Sequence, residues 1–91
     1  MANHVQAKKR ARQSVKQKQR NRYVRSTVRT SVKAVRRAIE QGESAQATEG
    51  LKTAIRNLDK AVTKGVLKRQ TASRTISRLT IAVNRATAAG N

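Results

Sequence analysis

The chain has 91 residues, with 22 Lys and Arg against four Asp and Glu, and a formal charge of +18. Tyr23 is its only aromatic residue, and Phe, Trp, Cys and Pro are absent. That composition allows one small domain with a thin core, excludes disulfides and thiolate metal sites, and demands a polyanionic partner.

No apolar run is long enough to span a bilayer or to serve as a secretory signal, so a cytoplasmic location is expected, with no membrane partner. The charge is uneven. Residues 1–37 hold 13 basic side chains and no acid, whereas residues 38–91 hold nine against Glu40, Glu43, Glu49 and Asp59, a net of +5. This asymmetry describes a basic nucleic-acid-binding arm on a more ordinary domain.

The first helix is expected over 4–41, with Asn3 as N-cap and Gln6 in the capping-box position. Its apolar stripe runs Val24, Val28, Val32, Val35, Ile39 in steps of four and three, the spacing of one helix face. Continued backwards, the stripe lands on Asn21, Gln17, Ser14 and Arg10, none of them apolar. Eight of the 15 positions from 8 to 22 are basic instead: Lys8, Lys9, Arg10, Arg12, Lys16, Lys18, Arg20 and Arg22. They surround the helix axis.

From residue 22 onward the cations are sorted. Advancing about 100° per residue puts Arg22, Arg25, Arg29, Lys33 and Arg36 on a ridge about 100° from the apolar stripe. Like charges four apart, such as Lys8–Arg12, Arg12–Lys16 and Lys16–Arg20, destabilise a free helix by a few tenths of a kcal/mol each. A solvated surface mixes signs to avoid this; a phosphate-binding surface does not. Residues 1–22 are therefore expected to be largely unfolded when free and to become helical on binding.

Gly42 is the expected left-handed stop of the first helix, and Glu43 with Ser44 the start of a second over 44–64. Ala47, Leu51, Ala54, Ile55, Leu58, Ala61 and Val62 form its stripe; Gly50 lies inside it and costs about 1 kcal/mol relative to Ala. Glu49 and Asp59 are within helical reach of Lys52 and Arg56 and are expected to pair with them. Gly65 stops this helix as Gly42 stops the first.

The third helix is expected over 68–88, with Thr71 the better of two N-cap candidates beside Gln70. Ala72, Ile76, Leu79, Val83 and Ala86 form its stripe. Lys68 and Arg69, at the turn with no acid nearby, are candidate contacts. Three stripes joined by short turns make an all-α, three-helix bundle over 23–91. At about 1.5 Å per residue the first helix runs about 57 Å and the second about 31 Å. The basic segment 1–22 must therefore project beyond the bundle.

One ring cannot build the stacking platforms of single-strand readers, and no compact recognition helix is set apart for the major groove. What remains is backbone recognition, with Arg and Lys on phosphates. Enzymatic chemistry has no support: His4 is the lone histidine, the four acids do not cluster, and there is no Gly-rich phosphate loop. No cofactor, metal or small-molecule substrate is expected. A DNA-binding nucleoid or linker-histone-like protein meets the same electrostatic requirement, because phosphate looks alike in both nucleic acids.

The order Met1-Ala2-Asn3, Ala7-Lys8-Lys9-Arg10, Asn21-Arg22, Ser26, Arg29-Thr30 resembles the family of the twentieth protein of the bacterial small ribosomal subunit. The likeness continues through Ala38-Ile39, Gly42, Leu58-Asp59-Lys60-Ala61, Lys64-Gly65-Val66-Leu67, Thr71-Ala72, Arg74 and Ser77-Arg78-Leu79. It implies a three-helix bundle with a long first helix whose basic half binds 16S ribosomal RNA directly, as a monomer within the subunit. It carries RNA contact onto Lys8, Lys9, Arg10, Asn21, Arg22, Ser26, Arg29 and Thr30, and onto Lys64, Arg74, Ser77 and Arg78. The charge pattern adds Arg12, Lys16, Lys18, Arg20, Arg25, Lys33, Lys68 and Arg69. Lys68-Arg69-Gln70 stands where the family commonly shows His-Lys-Asn, which removes a good N-cap. Thr75-Ile76 and Ala82-Val83 replace lysine pairs, which implies a smaller RNA share for the third helix.

Overall fold

A computed structural model of the chain describes the backbone of residues 2–89 and the side chains of residues 5–88. Three helices follow one another: α1 Ala2–Glu40, α2 Ser44–Thr63 and α3 Arg69–Ala89. There is no strand among the described residues. The molecule is elongated, 70 × 22 × 14 Å, because α1 has 39 residues and α2 only 20.

Both turns close in the same way. Gly42 and Gly65 have φ of 72° and 75°, the left-handed geometry that glycine adopts without a Cβ penalty. At the first turn the Gly42 N–H donates to the Ile39 carbonyl at 3.1 Å and the Glu43 N–H to that of Ala38 at 2.9 Å. At the second, the Gly65 N–H donates to the Val62 carbonyl and the Val66 N–H to that of Ala61, both at 2.9 Å. This paired closure is the Schellman motif, which satisfies carbonyls that a helix end leaves without partners. Val66 is buried and packs with Ala61, the apolar contact that commonly seals the motif.

The helix starts depart from the sequence expectations. Asn3 lies within α1 rather than capping it. Glu43 holds the N-cap position of α2 but its side chain makes no capping hydrogen bond. Ser44 is already helical, and the first bond runs from the Ala47 N–H to the Glu43 carbonyl at 2.9 Å. Thr71 is likewise inside α3, whose first bond joins the Ala72 N–H to the Lys68 carbonyl at 3.1 Å. For α2 and α3 the reason is shared: each follows a left-handed glycine turn and has begun before the capping hydroxyl is reached.

The three apolar stripes meet as expected. Around Val35 and Ala38 of α1 pack Ala47 and Ala54 of α2 with Leu79 and Val83 of α3. At the Gly65 end a smaller cluster joins Val24, Ala61 and Val66. The buried face of α2 is Ala47, Ala54, Leu58 and Ala61, and small side chains let α1 lie close along it. One polar bond fixes their register: the Asn57 side-chain amide donates to the Ser31 hydroxyl at 2.6 Å, and Ser31 donates on to the Thr27 carbonyl at 3.0 Å. The contact between α1 and α3 is the least extensive of the three.

Candidate nucleic-acid interface

Residues 5–20 of α1 are exposed without exception. Lys8, Lys9, Arg10, Arg12, Lys16, Lys18 and Arg20 all stand there, with Val5 and Val15 open to solvent at 66% and 55%. Two scattered valines do not make a core stripe. Burial begins with half-buried Asn21 and buried Val24, where the apolar spacing begins. Beside Val24, Tyr23 is 73% exposed: the ring faces solvent and is not part of the bundle.

Where α1 enters the bundle, Lys18, Arg22, Arg25 and Arg29 rim a hollow of about 360 Å³ together with Asn21 and Ser26. Spacings of four, three and four residues put these cations on one face. Arg25 and Arg29 also border a second, larger groove between α1 and α3, of about 460 Å³, and Lys33 and Arg36 continue that wall. Lys18 thus extends the ridge read from sequence beyond the bundle, and Arg36 ends it. Arg36 stands on the same ridge and on the groove wall, beyond the contacts expected from sequence.

The other candidates lie elsewhere. Thr30 is exposed on α1. Lys64, Lys68 and Arg69 are exposed around the Gly65 turn, which closes near Val24, at the end from which the basic half of α1 leaves. Arg74, Ser77 and Arg78 are exposed on α3. Helical spacing puts Arg74, Arg78 and Arg85 on the outer side with Ile81, which is 49% exposed.

Almost none of this charge is neutralised internally. Among the described residues the single ion pair is Lys52–Glu49 at 3.5 Å, both side chains well exposed. The pair expected between Asp59 and Arg56 is not formed. Among the described residues no group of His, Cys or acidic side chains could hold a metal ion. No described helix is long and apolar enough to cross a membrane. The side chain of His4 lies outside the described residues.

The hydroxyls of Thr71 and Thr75 on the far wall of the α1–α3 groove were not anticipated as site residues. Sequence marks Thr71 only as a cap candidate, and the signal for both is their separation by four residues on the α1-facing side of the third helix. The Thr75 hydroxyl donates to the Thr71 carbonyl at 3.0 Å.

Comparison with known proteins gives one consistent result. The profile of the family described as ribosomal protein S20 matches residues 2–84. A small ribosomal subunit protein bS20 of Campylobacter jejuni (strain 81-176) is 46% identical over 85 residues, covering 93% of this chain and 98% of that protein. The protein of the same name from Helicobacter pylori (strain Shi470) is 47% identical over 85 residues, covering 93% of this chain and 96% of its own length.

Proposed function

The chain belongs to the ribosomal protein S20 family, a structural and non-enzymatic family of the small ribosomal subunit, and from that premise we propose that it binds 16S ribosomal RNA directly through α1. Residues 1–22 act as the RNA-binding extension and residues 23–91 as the bundle that orients it. The protein works in the cytoplasm as a monomer within the subunit, without a small-molecule substrate.

The observation that carries this reading is the exposed, acid-free half of α1. From residue 5 to residue 20 it has no core to join and no internal partner for its cations. Charge on every side of one helix matches a setting where phosphates approach from several directions. The ridge from Lys18 to Arg36 continues the surface onto the bundle. Lys64, Lys68 and Arg69 add cations at the same end, and Arg74, Ser77 and Arg78 a separate, smaller face. The mechanism is phosphate neutralisation and pinning of RNA segments against one another, since contacts of this kind position rather than read sequence.

Family membership favours RNA over the DNA-binding alternative that composition alone left open. Competition binding tests the choice: folded 16S RNA should displace the protein from duplex DNA, and equal affinity for the two would overturn the assignment.

A further inference from the structure

The groove between α1 and α3 differs in chemistry from the rest of the basic surface. Its floor is aliphatic, made by half-buried Val28, Val32 and Leu67 over buried Leu58. One wall carries Arg25, Arg29, Lys33 and Arg36; the other offers the hydroxyls of Thr71 and Thr75. No acidic side chain lines it. Phosphate binding alone explains the cations but not the apolar floor beneath them.

We propose that this groove seats one unpaired nucleotide of the bound RNA, its base on Val28, Val32 and Leu67 and its flanking phosphates on the Arg25–Arg36 wall. The proposal rests on the reading of α1 as an RNA-binding helix and adds to it a defined site for an extruded base. A paired duplex keeps its bases stacked inside and cannot deliver a flat apolar face to the floor, whereas bases in loops and bulges can be splayed out. The volume of about 460 Å³ lies within the range of about 300–1,000 Å³ typical of small-ligand sites. The hydroxyls of Thr71 and Thr75 suit a base edge or a ribose 2′-OH.

Charge complementarity decides between RNA and an acidic protein segment. The four wall cations recur every three or four residues, at intervals of about 4.5–6 Å along the axis. A strand with one charge per nucleotide meets such a row in register, while a peptide would need an unbroken acidic run. The row is also continuous, through Arg22 and Lys18, with the extension.

The test uses the full chain bound to 16S RNA, with chemical probing of base accessibility and the variant Thr71→Glu. Thr71 is exposed in the first turn of α3, where a carboxylate suits the helix dipole, so the fold is retained, and thermal melting checks this. The wild-type complex should protect an unpaired base that Thr71→Glu returns to its free-RNA reactivity, while protections made by the extension persist. Unchanged protection in Thr71→Glu, or bundle protections confined to paired positions, would overturn the proposal. So would a photo-crosslinker at Leu67 that captures a neighbouring protein in the subunit instead of an RNA base. Absence of any protection of 16S RNA by the wild type would instead remove the reading on which the proposal rests.

Discussion

Gly50 of α2 faces Val35 of α1 so closely that a Cβ on the glycine would stand 3.2 Å from the Val35 Cγ2 and 3.8 Å from its Cα. Sequence alone marks Gly50 as a helix weakness; the structure shows what the weakness permits. Val35 is fully buried, and a β-branched side chain in a helix has one strongly preferred rotamer. It cannot step aside without disturbing the core. The glycine sets the spacing of α1 and α2.

Gly50→Ala therefore opposes two effects. Helix propensity gains about 1 kcal/mol, while overpacking a filled core costs about 1–3 kcal/mol. With Val35 pinned, the clash is expected to win by about 1 kcal/mol, seen as a melting temperature lower by about 4–8 °C. A higher melting temperature would show that α1 moves away at little cost.

Gly42 and Gly65 need glycine for another reason. No heavy atom lies within 4 Å of a Cβ built on either, so substitution meets open space and only the positive φ is penalised. Gly65→Ala should cost about 1–2 kcal/mol and leave the α1–α2 spacing unchanged. Chemical denaturation with an unchanged m-value is the measurement; an altered m-value would point to a wider rearrangement.

How much was legible in the sequence varies by feature. The stripes and both glycine turns were readable because each depends on local periodicity and one residue's conformation. The caps at Ser44 and Thr71 were misplaced, because the Schellman closures fix where the next helix begins, and Asn3 falls inside a helix that already runs from Ala2. Asp59 was expected to pair with Arg56, yet exposed pairs of this kind gain little in water. The groove was not legible at all: Val28 and Leu67 are 39 residues apart, and only tertiary packing sets them beside Thr71 and Thr75.

A peptide of residues 1–22 should show little helix by circular dichroism in dilute buffer. In the structure this segment is helical from Ala2, but residues 5–20 bury nothing and carry like charges at four-residue spacing. Addition of 16S RNA should raise the helical signal. A peptide already helical alone would contradict the coupling of folding to binding.

The salt dependence of binding to 16S RNA tests the central claim most directly. If about 8–12 phosphates are neutralised, log K falls with log salt at a slope of about −7 to −10. Replacing Lys8, Lys9, Arg10, Arg12, Lys16, Lys18 and Arg20 by Gln leaves the bundle untouched, since all are exposed outside it. The slope should then become shallower by about 5–6, as expected for seven lost phosphate contacts. A slope unchanged by that substitution would mean that the basic half of α1 does not hold the RNA.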